Sequence, residues 1–152
     1  MNDRAEAGSC FCGAIIAEIQ GDPFWICYDH DSDCRRAIGS PVVVWVGYRP
    51  EQFHITQGKP KSFSRTRGVT RTFCPDCGTS IGYEDRGTPN ELYIALGFLH
   101  HPERFPPQAH AYWCEKLPWI SFADKLPRID GYSRERDAEH GTPADRARGH
   151  TK

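Results

Sequence analysis

Cys74-Pro75-Asp76-Cys77-Gly78 is the stretch that decides the fold of this 152-residue chain. Two thiols separated by two residues, with a proline between them and a glycine after them, have the form of a zinc knuckle. In a knuckle a tight turn aims backbone N–H groups at the thiolates, and the glycine takes a backbone angle that other residues resist. The sequence therefore predicts half of a metal site at this point.

A second cysteine pair, in Cys10-Phe11-Cys12-Gly13, supplies the other half. Four thiolates in a tetrahedron match the geometry and softness that Zn²⁺ favours, and such a closed site is structural. We therefore predict one structural zinc held by Cys10, Cys12, Cys74 and Cys77, which closes a long loop and stabilises the whole domain. The alternative is that Cys10 and Cys12 are unrelated core thiols or a redox pair.

The other cysteines do not form a disulfide framework. The chain has seven cysteines, an odd number, and the close spacing within the two pairs favours metal binding over disulfides. Cys27 and Cys114 stand apart in aromatic surroundings, after Trp25-Ile26 and Tyr112-Trp113. A free thiol in such a setting is typically a small buried hydrophobe, and we expect both to lie in the core.

Size and charge exclude several classes of protein. With 152 residues, of which 38% are hydrophobic, the chain is sized for one compact domain. A formal net charge of −1 gives no positive field for nucleic acid or an anionic membrane surface. No apolar run approaches the roughly 20 residues of a membrane span, and the first residues lack the apolar stretch of a secretory signal. We expect a cytoplasmic protein; its oligomeric state is not predicted.

The order of β-branched and aromatic runs predicts a mainly β fold. After a polar leader, glycines and prolines punctuate the predicted strands, which are 14–20, 42–46, 53–56, 69–73, 79–83 and 92–96. The domain is expected to span residues 1–132. Residues 133–152 contain no large apolar side chain, so we expect a solvated C-terminal tail.

One short helix is predicted near residues 32–38. Ser32 or Asp31 can cap its start, and Gly39 followed by Pro41 ends it.

Five segments of the chain form a specific combination when they are taken together. They are Gly8-Ser9-Cys10-Phe11-Cys12-Gly13, Cys34-Arg35-Arg36-Ala37 with Gly39-Ser40, Phe73-Cys74-Pro75-Asp76-Cys77-Gly78, His110 through Trp113, and Glu115-Lys116-Leu117-Pro118-Trp119 with Asp124 and Leu126-Pro127. In this order they resemble the glutathione-dependent formaldehyde-activating enzyme (GFA) family. The resemblance covers about residues 8–128. It implies a small single-domain β-tent built from sheets around a zinc site, with carbon–sulfur lyase activity on a small, glutathione-type thiol adduct.

The resemblance also implies a second metal site, and here the chain departs from the family. Members typically carry a second zinc in a Cys-His-Cys-x-x-Cys-Arg motif, thought to bind the thiol of glutathione or its formaldehyde adduct. The matching stretch is Asp29-His30-Asp31-Ser32-Asp33-Cys34-Arg35, in which aspartates replace two of the cysteines. Because carboxylates are harder ligands than thiolates, the exchange shifts preference towards Mg²⁺, Mn²⁺ or Fe²⁺ relative to Zn²⁺.

The spacing of this stretch allows the three anionic side chains to converge. Residues two apart in an extended segment share a face, so Asp29 and Asp31 can point together while His30 points away. Cys34 then arrives from the first helical turn. We predict that Asp29, Asp31 and Cys34 are the catalytic residues and bind a second divalent metal of unknown identity. The alternative is a solvated acidic turn, in which these aspartates and Asp33 cap the helix.

Other polar residues complete the candidate site. Arg35 and Lys116 are the candidates for binding a substrate carboxylate. His30 is a candidate second-layer residue behind the metal ligands, and His110 is either a site residue or a hydrogen-bonded core histidine. We expect His100-His101 in an exposed loop.

We expect Trp113 and Trp119 in the core or in a pocket wall, because large rings bury most of their surface.

Two functions from different classes follow. The first is a carbon–sulfur lyase in which the second metal acts as Lewis acid and binds the substrate thiol. Because carboxylate ligands suit an oxygen nucleophile, a hydrolytic or other lyase reaction is a variant of this hypothesis. The second is a noncatalytic, zinc-stabilised binding module that has lost the catalytic metal. A redox role for Cys34 is a third option.

Overall fold

The computed structural model describes residues 5–134, which form ten strands, one α-helix and four short 3-10 helices. The strands are β1 (Ala5–Ser9), β2 (Ile16–Gln20), β3 (Trp25–Asp29), β4 (Val43–Tyr48), β5 (Phe53–Gln57), β6 (Lys61–Phe63), β7 (Val69–Phe73), β8 (Ser80–Asp85), β9 (Leu92–Ala95) and β10 (Ala109–Ala111). Helix α1 spans Ser32–Ile38, and the 3-10 helices are Pro50–Gln52, Leu96–Phe98, Pro102–Arg104 and Trp113–Glu115. The predicted mainly β, single-domain fold with one short helix is confirmed.

Helix α1 begins and ends for the predicted reasons. The Asp31 carboxylate caps its start by accepting the backbone N–H of Cys34 at 3.1 Å. Gly39 ends it in the left-handed conformation, with φ of 75°, and its N–H donates to the carbonyl of Arg35. A glycine is favoured there because it carries no Cβ that would resist this angle.

Four strands were not predicted, namely β1, β3, β6 and β10. Strand β1, which the sequence analysis took for part of a polar leader, consists of Ala-Glu-Ala-Gly-Ser and has no large apolar side chain. Its pairing with β2 and its close approach to the core hold it in place. A Cβ atom at Gly8 would lie 2.4 Å from the Phe98 ring, so only glycine permits this approach.

The strands form two sheets. The smaller sheet has the order β1-β2-β5, and the larger has the order β10-β3-β4-β9-β8-β7-β6. All neighbouring strands are antiparallel except β10, which runs parallel to β3 and places His110 opposite Tyr28. The larger sheet therefore brings β3, next to its edge, beside a strand that follows about 80 residues later in the chain.

Both faces of the larger sheet are buried, so successive residues of its central strands enter different cores. On one face Val46 and Ile94 pack with residues of the smaller sheet such as Ile19. On the other face Trp45 and Tyr93 belong to a second cluster, which lies against α1 and contains Cys27, Cys34, Val43, Val69, Tyr83, Ala95, Ala111 and Tyr112. The predicted second metal site lies in this second cluster.

Both ends of the chain extend past the described residues. Ser133 and Arg134, the first two residues of the predicted tail, contact the domain, whereas 135–152 lie outside the part of the chain that the structure describes. Within residues 5–134 no helix is long and apolar enough to cross a membrane.

Candidate metal centres

The four predicted cysteines come together between the two sheets. The ligand atoms of Cys10, Cys12, Cys74 and Cys77 all lie within 4.8 Å of one another. The first pair follows β1 in the smaller sheet, and the second lies in the turn between β7 and β8 of the larger sheet. Cys10 and Cys74 are buried, whereas Cys12 and Cys77 are exposed. The cluster is positioned to hold a metal that would tie the two sheets together.

Backbone and hydroxyl donors surround these sulfur atoms. The N–H of Ile15 lies 3.2 Å from Cys10 Sγ, and the Thr79 hydroxyl lies 3.1 Å from Cys77 Sγ. The hydrogen bond from Thr79 lowers the pKa of Cys77 to about 6. The same hydroxyl oxygen accepts the N–H of Phe11 at 3.0 Å, so it links the two cysteine loops. Thiolates stabilised in this way are suited to a divalent metal.

The two isolated cysteines differ from each other. Cys27 is buried, as predicted, with 5% of its surface exposed. The prediction for Cys114 was wrong, because its thiol is exposed on the 3-10 helix Trp113–Glu115 and donates to the carbonyl of Asp130 at 3.4 Å. Its aromatic neighbours in the sequence pack away from it, since successive residues of a tight helix point in different directions.

The second predicted cluster also forms. Asp29 ends β3, Asp31 caps α1, and Cys34 lies in the first turn of that helix. One ligand atom of each lies within 4.8 Å of the others. Asp29 and Cys34 are buried, and Asp31 is partly buried. The structure therefore brings together the three anionic groups that the sequence analysis singled out.

Asp29 is held by two hydrogen bonds. Its Oδ1 accepts the backbone N–H of Asp31 at 2.9 Å, and its Oδ2 accepts the indole N–H of Trp45, also at 2.9 Å. Burial, together with the nearby charge of Asp31, raises the pKa of Asp29 to about 6. Burial raises the pKa of Asp31 as well. A buried carboxylate beside a partly buried one is costly unless a cation offsets their charge.

Arg71 is a site residue that the sequence analysis missed. Its Nη2 donates to Cys34 Sγ at 3.5 Å, and its guanidinium lies 5.0 Å from the centre of the Tyr83 ring. Its Nη1 is buried and has no hydrogen-bond partner. Burial and the neighbouring Asp29 raise the pKa of Cys34 well above its usual value, and Arg71 opposes this rise. An arginine in the middle of a predicted strand, 69–73, was the available signal.

The three anionic side chains open into a narrow cavity of about 30 Å³, which is room for little more than a water molecule. Its walls are largely aromatic, and the lining residues are Cys27, Asp29, Asp31, Cys34, Trp45, Tyr83, Tyr93, Ala111, Tyr112, Tyr132 and Ser133. Tyr112 has a φ of 51°, an angle that a bulky side chain rarely adopts. Such strained residues cluster at functional sites.

Comparison with known proteins places this geometry in a family. The sequence model of the glutathione-dependent formaldehyde-activating enzyme (GFA) family matches residues 5–115, which is most of the chain. The chain belongs to the GFA family. Among solved structures, one that is similar to this GFA protein is the crystal structure of a Rhodobacter sphaeroides protein. The two are 19% identical with a TM-score of 0.49, and the match covers 80% of this chain and 98% of that chain. No curated protein matches the chain.

Two further residues of the GFA-like motifs lie outside the cavity wall. The guanidinium of Arg35 donates to the carbonyl of Glu115 at 3.2 and 3.4 Å. The ammonium group of Lys116 donates to the carbonyls of Leu117 and Ile120 at 2.9 and 2.7 Å. Both predicted carboxylate binders are thus engaged by the backbone, and Arg71 is the cation in contact with Cys34. Their role in binding a substrate stays a prediction.

His30 points away from Asp29 and Asp31, as predicted, but its partner is another histidine. Its Nε2 lies 2.9 Å from Nδ1 of His110, whose Nε2 lies 3.2 Å from both carboxylate oxygens of Asp124. Because the carboxylate can only accept, His110 donates from Nε2 and accepts at Nδ1 from His30. The Nδ1 of His30 is buried without a hydrogen-bond partner, and burial lowers the pKa of His30 to about 4. His110 is buried and hydrogen-bonded at both ring nitrogens, which favours the core-histidine alternative.

The remaining aromatic and histidine predictions had mixed outcomes. Trp113 is partly buried and packs edge-on against His30 and His110. The prediction for Trp119 was wrong, since 70% of its surface is exposed. His100 and His101 are both exposed, as expected. Asp33 does not join the metal cluster and forms an ion pair with Arg65 at 3.8 Å.

Proposed function

We propose that this GFA protein is a carbon–sulfur lyase that acts on a small thiol adduct, of the glutathione type that the family name implies, at Asp29, Asp31 and Cys34. The observation that carries the proposal is the convergence of these three anionic groups on the wall of one cavity. A buried set of acids without a cation is unfavourable, so the arrangement favours a bound divalent metal.

The donor set fits such a metal. Two carboxylates and one thiolate can carry the same formal charge as the three thiolates of the family motif, but they are harder, which favours Mg²⁺, Mn²⁺ or Fe²⁺ more than three thiolates would. When bound, the metal supplies Lewis acidity and a position for the sulfur of the adduct or for water. The four-cysteine cluster, by contrast, fits a closed structural zinc.

The residues around the site have separate tasks. The indole N–H of Trp45 and the backbone N–H of Asp31 fix the Asp29 carboxylate from one side. When a thiol adduct with a hydroxyl on the same carbon is cleaved, the hydroxyl proton leaves, a carbonyl forms and the sulfur departs with the electron pair of the C–S bond. A carboxylate oxygen of Asp29 or Asp31 that is not bound to the metal is the group that would accept that proton.

Arg71 supplies the positive charge for the sulfur side of this reaction. Its contact with Cys34 stabilises the thiolate form of that ligand, behind the position where a substrate sulfur would bind. Its Nη1 is buried and Arg71 does not line the cavity, so we assign it no direct contact with the substrate.

The same contact favours the second candidate, a noncatalytic zinc-stabilised binding module. A guanidinium beside Cys34 provides positive charge in the cluster without any second metal. A redox role for Cys34 is less favoured, since burial raises the pKa of this thiol and disfavours the reactive thiolate. The cytoplasmic location and the lack of nucleic-acid and membrane partners stay predictions.

Elemental analysis separates the lyase from the binding module. We expect the purified protein, dialysed against Zn²⁺, Mn²⁺ or Fe²⁺, to hold one zinc and a second divalent metal per chain. The double variant Asp29→Asn, Asp31→Asn should lose only the second metal, and an Asn at position 31 still caps α1. Asp33→Asn is the matched control, because Asp33 lies in the same turn but outside the cluster.

A single zinc per chain under all these conditions would overturn the metalloenzyme proposal. Where a second metal is found, the reaction is tested with S-hydroxymethylglutathione as substrate, and its cleavage is measured as the release of formaldehyde. Loss of that activity in the double variant and its retention in Asp33→Asn is the expected result.

A further inference from the structure

Three residues at the C-terminal end of the described chain lie against the candidate site. Tyr132 and Ser133 line the same cavity as Asp29 and Cys34, and Arg134 follows directly. We call residues Tyr132–Arg134 the C-terminal strap. The match to the family model ends at residue 115, so the strap lies outside the segment that this family model describes.

Side-chain contacts fix the strap to the larger sheet. The indole N–H of Trp25, on β3, donates to the Ser133 hydroxyl at 3.0 Å. Arg134 donates from Nη2 and Nε to one carboxylate oxygen of Glu91, at 2.9 and 3.3 Å. Its guanidinium also lies 4.9 Å from the centre of the Phe24 ring.

The ion pair connects the strap to the cavity wall. Glu91 is buried, with 8% of its surface exposed, and it also accepts the Tyr93 hydroxyl at 2.5 Å. Tyr93 lines the cavity. Removing Arg134 would leave the Glu91 carboxylate buried without its cation, so the attached position of the strap is strongly favoured.

We propose that the C-terminal strap determines how large a molecule can reach the cavity at Asp29, Asp31 and Cys34. With the strap attached, the space of about 30 Å³ admits only a group of one or two heavy atoms, such as the one-carbon part of an adduct. The rest of a larger substrate stays outside or displaces the strap. The inference rests on the proposed function only in taking this cavity as the site.

The test measures access by thiol alkylation. Cys27 lines the cavity and is not a proposed metal ligand, so it reports access whether or not a second metal binds. Wild type and variants are treated with methyl iodide, which has only two heavy atoms, or with a bulky fluorescein maleimide, and modification of Cys27 and Cys34 is followed by peptide mass spectrometry. The exposed Cys114 serves as the internal standard.

We expect Arg134→Gln to raise the rate of Cys27 modification by the bulky reagent about tenfold relative to Cys114, as loss of a charge-assisted hydrogen bond implies. The rate of Cys27 modification by methyl iodide should change less. Arg134→Lys keeps the charge and should restore most of the protection. Arg86→Gln, at an exposed arginine of the β8–β9 connection, should match wild type.

The proposal would be overturned if Arg134→Gln, with normal zinc content and melting temperature, had the wild-type ratio of Cys27 modification rates with the bulky and the small reagent. If this variant fails to fold, Trp25→Phe is the second probe, because it keeps the ring and removes only the donor to Ser133. Equal ratios in Trp25→Phe and wild type would also count against the strap. If elemental analysis finds no metal at the second site, these results are unaffected. The strap proposal and the proposed lyase function can therefore fail independently.

Discussion

Cys34 Sγ and Arg71 Nη2 lie 3.5 Å apart, and this contact joins helix α1 to the middle of β7. Two aspartates, Asp29 and Asp31, lie within 4.8 Å of the same sulfur atom. The arginine therefore sets how readily the thiol ionises, against the effect of burial.

We expect Arg71→Met to slow the alkylation of Cys34 by methyl iodide about tenfold in metal-free buffer, because a charge-assisted hydrogen bond to the thiolate is lost. Peptide mass spectrometry over a series of pH values measures the rate. Arg71→Lys keeps the charge and should react closer to wild type. Equal rates in Arg71→Met and wild type would show that the guanidinium does not stabilise the thiolate.

Loss of one knuckle cysteine should unfold the domain. The binding of a structural zinc is worth roughly 10–16 kcal/mol, as much as the whole stability of a typical domain. We expect Cys74→Ser to lose zinc by elemental analysis and to lack a cooperative thermal transition. Cys114→Ser, at the exposed thiol, should keep both the zinc and the transition. A stable, zinc-free Cys74→Ser variant would contradict this prediction.

The stability of the metal-free second site should depend on pH through Asp29. Burial raises the pKa of Asp29 from 3.8 to about 6, so the folded protein binds this proton more tightly than the unfolded chain. The contribution of Asp29 to the free energy of unfolding is therefore greatest below pH 3.8 and falls as the pH rises to about 6. This rise in the pKa of Asp29 corresponds to roughly 3 kcal/mol of free energy of unfolding.

Urea denaturation from about pH 4 to about pH 7 in metal-free buffer measures this dependence. Asp29→Asn should show a flatter profile than wild type. Asp33→Asn should retain the wild-type profile, because Asp33 lies outside the cluster. The slope with pH is the readout, since the substitution at Asp29 also disturbs the hydrogen bond from Trp45. Parallel profiles for Asp29→Asn and wild type would show that Asp29 titrates normally.

The chain of His30, His110 and Asp124 predicts a defined proton position on each ring. Both histidines should carry the proton on Nε2, which ¹⁵N NMR of the imidazole rings detects. We expect Asp124→Ala to disturb this pattern and to lower the free energy of unfolding by about 1–3 kcal/mol, the cost of leaving a buried donor unsatisfied. Asp130→Ala, at an exposed residue nearby, should change neither. An Nδ1-protonated His110 in wild type would refute the assignment.

The parts of the fold that the sequence predicted are those with strong local signals. Helix α1 has a capping aspartate directly before it and a terminal glycine directly after it, and strand 69–73 is mostly β-branched or aromatic. Strands β1 and β10 lack such a pattern, because they are held by partners and by contacts far away in the sequence. Pairing of this kind is not encoded in any short window.

The candidate site divides in the same way. Asp29, Asp31 and Cys34 lie within six residues. The two-residue alternation of an extended segment and the geometry of the first helical turn were therefore enough to predict their convergence. Arg71 and Tyr132 reach the same place from distant segments, and no spacing rule connects them. Trp119 and Cys114 were misplaced because residue type predicts average burial, whereas the short turns of this segment decide which side chains face solvent.

The parallel strand β10 has a consequence for the order of events during synthesis. Strand β3, which carries Asp29, is complete at residue 29, but its partner at Ala109–Ala111 and the cavity residues up to Ser133 leave the ribosome about 80 to 100 residues later. Domains fold as units once their chain is available, and long-range pairing is slow. A nascent chain therefore has its aspartates and thiols unprotected until nearly the whole domain has emerged. A metal ion bound by these groups at that stage would lack the surrounding residues that complete the site in the folded domain.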